Sequence, residues 1–306
     1  MSIAPTQKVW LVTGAATGLG LALIQRVLAR GGCAIATARS PESLDVALKD
    51  LPNTDRDRLR TLKLDVTAGF GELQRTATAA LSFWGRVDVL VNNAAITGGA
   101  CGSEEAGCVP DCRAGHFAMV MATNFYGVID VTNAFLPHMR RRREGTIIIV
   151  GSRSAIRNEF FATGAYSASK AAVHSYGETL AAEVRRFNIR VTIVAPGTMR
   201  TTFNHPHIPP FTIADYDEEH AAVMRYVEGL RTRAIASMGD PMKAMDTVID
   251  VVHGEGRAKG RKDWPLWLLL GEDAVVDWRI RANKMLKEVD EWGDLAAGLR
   301  PPVEAS

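Results

Sequence analysis

The stretch Thr13-Gly14-Ala15-Ala16-Thr17-Gly18-Leu19-Gly20 constrains this chain more than any other. An apolar run, Val9–Thr13, leads into it, and a segment with helical spacing, Leu19–Arg30, leaves it. A chain turning that tightly from strand to helix needs residues that tolerate positive φ and carry no Cβ. The turn also lets backbone N–H groups approach an anion such as a pyrophosphate, where the helix dipole favours negative charge. Glycine clusters are common by themselves. This one gains weight from its place at the first strand-to-helix turn. Its spacing is G-x3-G-x-G rather than the commoner G-x-G-x-x-G.

The rest of the chain continues the alternation. Cys33–Ala38, Leu59–Leu64, Val87–Val91, Thr146–Val150 and Arg190–Val194 read as strands. Pro41–Lys49, Gly71–Phe83, His116–Arg143 and Gly164–Phe187 read as helices. Ser40 is the expected N-cap of the second helix, with Pro41 at its first position. The long segment His116–Arg143 is expected to be interrupted or to end near Pro137. Several strands are nearly continuous apolar runs, which suits a parallel sheet covered on both faces. Strand–helix alternation of this kind predicts right-handed βαβ units and a doubly wound α/β fold. After Ala195 the pattern changes to a stretch rich in proline, histidine and threonine. Helices are expected at about 216–236 and 240–253, a last strand at Leu266–Leu270 and a final helix at 272–297. No low-complexity linker divides the chain, so a single domain over 1–306 is expected.

Two further features carry chemistry. At the end of the second strand, where dinucleotide folds often place an acid against the adenosine ribose, the chain has Ala38-Arg39-Ser40. A guanidinium suits a 2′-phosphate, so Arg39, with Ser40 as a hydroxyl donor, favours NADP(H) over NAD(H). Further on, Tyr166-Ser167-Ala168-Ser169-Lys170 opens a helix, and a spacing of four puts Tyr166 and Lys170 on one face. A free phenol titrates near 10, and a neighbouring ammonium favours its ionised form. Carbonyl chemistry needs a tuned proton donor of this kind. Ser152 stands 14 residues upstream, just after the fifth strand, and Asn124 lies in the preceding helix.

Taken together, T-G-x3-G-x-G, Asn92-Asn93-Ala94-Ala95, Ser152, Tyr166-x3-Lys170 and Pro196-Gly197-Thr198-Met199-Arg200-Thr201 resemble the classical short-chain dehydrogenase/reductase family, over about residues 8 to 201. The resemblance implies a Rossmann-type sheet and a hydride transfer between nicotinamide and a carbonyl or alcohol. It implies Tyr166 as general acid in reduction and base in oxidation. Lys170 would lower the tyrosine's pKa and hold the ribose hydroxyls, and Ser152 would bind the substrate oxygen. Asn124 would bend its helix and order a water that relays protons. Thr13, Gly14, Thr17, Gly18, Leu19 and Gly20 would meet the cofactor, with Asp65 and Val66 at the adenine. Asn93, Ala94 and Ala95 would line the floor, and Pro196, Gly197, Thr198 and Thr201 would close over the nicotinamide. The chain departs from the family in three places. Ala95 replaces a glycine, and Thr17 stands where many NADP members carry a basic residue. Arg153 sits where the family's serine would be counted from the tyrosine, so Ser154 stays open beside Ser152. The family usually pairs through the tyrosine helix and the one before it, so a homodimer or homotetramer is expected. Alternatives are a catalytically silent NADP(H)-binding sensor or scaffold, and a dehydratase or epimerase on the same fold.

Composition narrows the rest. A formal charge of +2 is too small to argue for nucleic acid or an anionic membrane. The run Arg140-Arg141-Arg142-Arg143 reads as a solvated helix C-terminus. No apolar run reaches the length of a membrane span, and a cytoplasmic protein is expected. Cys101, Cys108 and Cys112, with His116 as a fourth ligand, match no standard zinc spacing, so no metal is expected. His205 and His207 fall in the family's mobile substrate loop. Residues 202–306, with Trp264, Trp267, Trp278 and Trp292, carry no motif; a core or interface role is expected for them.

Overall fold

The protein is described from a computed structural model. It covers residues 7–97, 114–157, 163–201, 238–297 and 299, with scattered helical positions between 218 and 229. The three clustered cysteines, His205, His207 and most of the expected helix at 216–236 lie outside the described residues.

Seven parallel strands form one sheet: β1 (Val9–Val12), β2 (Cys33–Ala38), β3 (Leu59–Lys63), β4 (Val89–Asn92), β5 (Gly145–Val150), β6 (Ile189–Pro196) and β7 (Trp267–Leu270). Their spatial order is β3-β2-β1-β4-β5-β6-β7. Chain order reverses between β1 and β4, and doubly wound sheets open a ligand crevice at such a point, beyond the carboxyl ends of the strands. The central strands are buried on both faces, as their unbroken Val/Ile/Leu runs require.

Helices cover the two faces. One apolar core joins α1 (Gly18–Ala29), α2 (Pro41–Leu48) and α8 (Pro241–His253) to the sheet, through residues such as Leu23, Val27, Leu44 and Val248. The other joins α4 (Phe70–Trp84), α6 (Gly127–Arg142) and α7 (Gly164–Val184), through Leu73, Phe135, Val173 and Leu180. A short α3 (Asn53–Arg56), α5 (Ala114–Met121) and the C-terminal α9 (Glu272–Trp292) complete the set named here. Local chemistry fixes several ends. Ser40 Oγ accepts Ser43 N–H at the start of α2. Asp240 caps α8 ahead of Pro241, and Gly254 closes that helix at φ +67°.

Two expectations fail here. α6 runs through Pro137 to Arg142; the irregularity lies upstream, in a single π turn at Ala122–Tyr126 that joins α5 to α6. Tertiary packing of Val131, Phe135 and Met139 holds the helix past a proline that removes only one of its hydrogen bonds. The basic run is not simply solvated either. Arg142 Nη2 donates to Asp88 Oδ1 at 2.8 Å, and Asp88 also accepts from Val9 N–H (2.8 Å) and Arg86 Nε (3.0 Å). Burial alone would raise the Asp88 carboxyl; these three donors outweigh it and hold the group below the usual carboxylate range.

Candidate active site

Every strand that matters here ends at the same edge, so the loops after β1, β3, β4, β5 and β6 converge. The glycine loop is held by a side chain at each end. Thr13 Oγ1 accepts the N–H groups of Asn93 (2.9 Å) and Ala94 (3.0 Å), while Asn93 Nδ2 donates to the carbonyls of Thr13 (2.8 Å) and Gly14 (3.1 Å). Thr13 and Asn93 therefore knit β1 to β4 from beneath. Gly14 has φ +64°, and a Cβ there would meet Ala94 Cα at 2.9 Å. At Gly20 a Cβ would lie 2.5 Å from the Gly14 carbonyl oxygen. Over Gly18 the nearest side chain is Thr201, 3.8 Å from where a Cβ would stand. That pairs the glycine loop with the loop after β6. α1 starts at Gly18 with no side-chain cap from Thr17 and no acid in its first turn. Its leading N–H groups suit a phosphate, and the donor set fits a dinucleotide.

At the end of β2, Arg39 is exposed. Ser40 is already engaged: besides capping α2, its Oγ donates to Glu42 Oε2 at 2.6 Å, which lowers the pKa of that carboxyl. Asp65 makes an Asx turn, accepting Thr67 N–H (2.9 Å) and Oγ1–H (2.8 Å) on one oxygen. The buried Val66 packs against Gly127, where a Cβ would come within 2.8 Å of it.

The candidate residues Ser152, Tyr166 and Lys170 meet where α7 passes the end of β5. Tyr166 hydrogen-bonds Ser152. Ser154 instead donates its main-chain N–H to Ser152 Oγ at 3.1 Å. Lys170 is buried one turn along α7; its Nζ donates to the Val150 carbonyl at 2.7 Å and lies 5.8 Å from the Tyr166 ring centroid. Burial lowers the lysine to about 8 and raises the tyrosine to about 12, with the Ser152 bond offsetting part of the rise. The phenol thus stands above its free value, where the Tyr166–Lys170 spacing predicts a lower one. Desolvation dominates, and the ammonium is turned to a carbonyl instead. Asn124 is fully buried in the π turn. Its Oδ1 accepts Ile96 N–H (2.8 Å), and its Nδ2 donates to Ile96 O (2.8 Å) and Ser169 Oγ (3.0 Å). Both amide hydrogens are spent tying the loop after β4 to α7.

Four residues to which the sequence assigns no role, Arg153, His174, Asp273 and Asp277, flank the serine loop. Arg153 Nη1 donates to Asp277 Oδ2 (2.8 Å) and lies 3.3 Å from Asp273 Oδ2; its Nη2 donates to Thr198 Oγ1 (3.0 Å). Asp273 accepts Thr198 N–H at 2.7 Å, and a Cβ on Gly197 would collide with it. Thr198 is therefore committed to protein partners through both groups. The buried His174 accepts the main-chain N–H of Ser152 on Nε2 at 3.1 Å. Its signal was present: 166, 170 and 174 share one helical face. The aspartates on α9 had none, being more than 100 residues away in sequence. Pro196 pairs with Leu270 of β7, and Gly197 N–H donates to Leu270 O at 2.7 Å. Of the tryptophans, Trp267 and Trp278 pack on His174, Trp264 donates to Val191 O, and Trp292 is exposed. Among the described residues no group of His, Cys, Asp and Glu could hold a metal, and no helix is long and apolar enough to cross a membrane.

Comparison with known proteins agrees with this architecture. The short chain dehydrogenase family profile matches residues 8–209. Oxidoreductase BOA17 of Botryotinia fuckeliana is 32% identical over 292 residues, which is 94% of this chain and 98% of that one. The 3-ketodihydrosphingosine reductase of Bacteroides thetaiotaomicron is 34% identical over 196 residues, 64% of this chain and 65% of its own. Among solved structures, a short-chain dehydrogenase from Streptomyces avermitilis superposes with a TM-score of 0.79 at 31% identity, covering 97% of this chain and 100% of its own. With the glycine loop, the Ser152–Tyr166 pair and the sheet order all in place, the chain belongs to the short-chain dehydrogenase/reductase family.

Proposed function

We propose that this protein is an NADP(H)-dependent oxidoreductase acting on a carbonyl or secondary alcohol, with Tyr166 as the proton-transferring group. The observation that carries the reading is the hydrogen bond between the half-buried Tyr166 and the buried Ser152, one helical turn from Lys170 and at the same sheet edge as the glycine loop. When bound, the cofactor supplies or accepts the hydride. The chain's own residues would do the rest. The first-turn N–H groups of α1 would hold the pyrophosphate beside Thr17, Gly18, Leu19 and Thr201, over a loop kept in shape by Thr13, Gly14, Gly20 and Asn93. Asp65 and Val66 would border the adenine, and Ala94, Ala95, Pro196, Gly197 and Thr198 the nicotinamide. Ser152 would orient the substrate oxygen toward the phenol. A phenol at about 12 is protonated at neutral pH, which suits it as the acid in reduction. Lys170, at about 8, remains mostly cationic near neutral pH and would stabilise phenolate as the proton leaves. Asn124 would act by fixing the π turn and the Ile96 loop. Any relay of protons through its side-chain N–H groups would require it to release Ile96 or Ser169.

Arg39 supports NADP(H). It stands exposed at the end of β2, where the first acid after Ala38 is Glu42. Self-association fits the apolar face that α9 leaves exposed, with Met285, Leu286, Val289 and Trp292 in the open.

The test follows absorbance at 340 nm with NADPH and NADH against a panel of aldehydes and ketones. Carbonyl-dependent oxidation of NADPH is expected. Tyr166→Phe should lower kcat by about 10²–10⁴-fold with cofactor affinity retained. Arg39→Ala should erode the preference for NADPH over NADH. Tight NADPH binding with no turnover on any substrate, in wild type and mutant alike, would instead support a sensor.

A further inference from the structure

The C-terminal third reaches the reacting serine from behind. β7 and the second turn of α9 bring Trp267 and Trp278 onto the imidazole of His174, with ring centroids at 4.9 Å (edge-on) and 5.9 Å. The two indoles also touch each other, at 5.2 Å. Trp267 Nε1 donates to Glu178 Oε1 at 3.2 Å, one turn beyond His174 on α7. The ring is thereby clamped between its own helix and the C-terminal elements.

Among the described residues the clamped ring makes one hydrogen bond. Nε2 accepts the Ser152 N–H, so this nitrogen carries no hydrogen and the imidazole is the neutral Nδ1–H form. Burial and the Lys170 ammonium both oppose a charge and push its pKa down to about 3, so the acceptor persists at every physiological pH. The fit is close: a Cβ on Gly151 would fall 2.0 Å from Nε2, so the bond needs a glycine directly before the serine. The N–H it takes belongs to the residue whose Oγ meets Tyr166, and that residue is in extended conformation at φ −165°, ψ 150°.

We propose that His174 is a positioning residue: through the Ser152 main-chain N–H it sets the direction in which Ser152 Oγ faces the phenol. This rests on the role given to Ser152 above. The rival account is that the imidazole only fills space between two tryptophans.

Two substitutions separate these accounts. His174→Leu keeps an apolar body against the indoles and removes the acceptor. His174→Gln places an amide oxygen at a similar reach. Misplacing a reacting group by about 1 Å can cost about 10²-fold in rate. His174→Leu is therefore expected to lower kcat for carbonyl reduction by about 10- to 100-fold with NADPH affinity unchanged, and His174→Gln to stay within about threefold of wild type. Amide hydrogen exchange, measured by mass spectrometry on the protein without substrate, supplies a readout that needs no turnover. The segment 151–157 should exchange faster in His174→Leu and at the wild-type rate in His174→Gln. Unchanged kcat and exchange in the leucine variant would overturn the proposal. So would equal losses in both variants that track a fall in Tm. If wild type turned over no carbonyl, the oxidoreductase reading would fail, while the exchange data would still decide whether His174 anchors Ser152.

Discussion

The loop after β1 and the loop after β5 end at the same edge of the sheet but are built differently. The glycine loop takes its shape from backbone geometry: positive φ at Gly14 and Gly18, a close approach at Gly20, and two neighbours, Thr13 and Asn93, within the β1–β4 pair. The serine loop takes its shape from long-range side chains. His174 comes from α7, while Arg153 is gripped by Asp273 and Asp277 from α9, itself braced on β7. A loop shaped by glycine geometry and the adjoining strand is compact and independent of β7 and α9. A loop shaped by borrowed side chains can be tuned from the C-terminal third, where the chain has no family motif. The difference teaches that substitutions in β7 and α9 reach the serine loop without touching the glycine loop.

The comparison can be broken first at Gly20. Gly20→Ala should cost most on the cofactor side, because its Cβ would sit 2.5 Å from a backbone oxygen that cannot swing away. An NADPH dissociation constant raised by more than tenfold, by titration fluorescence, is expected; wild-type affinity would show that the turn relaxes cheaply.

Next comes the opposite edge of the sheet. Asp88→Asn removes the charge that Arg86 and Arg142 share, and breaking one partner of a buried pair costs about 3–5 kcal/mol. Thermal or urea unfolding should register that loss with kcat unchanged in the folded enzyme. Because the Asp88 carboxyl is depressed in the fold, its contribution is present above the ordinary aspartate pKa and fades as pH falls through the lower folded value. The variant and wild type should therefore converge in stability at acid pH.

The smallest effect is on rate against pH. Lys170 at about 8 predicts that kcat/KM for reduction declines above about pH 8 as the ammonium is lost. A profile flat to pH 10 would place the lysine's charge outside the proton transfer.

The strands and most helices were legible because their signals are local: apolar runs, helical spacing, and a capping serine before Pro41. The π turn at Ala122–Tyr126 and the unbroken passage through Pro137 were not, since both depend on what α5 and α6 pack against. Order, spacing and the family resemblance single out Tyr166, Lys170 and Ser152, with Ser154 open beside Ser152, and the structure brings Tyr166 and Ser152 into contact. The direction of the phenol's pKa was misjudged, because spacing along a helix gives proximity but not burial, and burial is the larger effect here. Arg142, read as solvated, is paired with an aspartate more than 50 residues away.

By itself the sequence determined the order of elements, the parallel sheet, the glycine turn and the helical face bearing Tyr166 and Lys170, because backbone conformation and hydrophobic periodicity are written in neighbouring residues. Only the tertiary structure decided that Ser152 rather than Ser154 meets the phenol, that Lys170 turns to Val150, and that His174 and α9 stand behind the serine. Those outcomes depend on which distant side chains share a desolvated space, and that is fixed when the sheet closes on its helices.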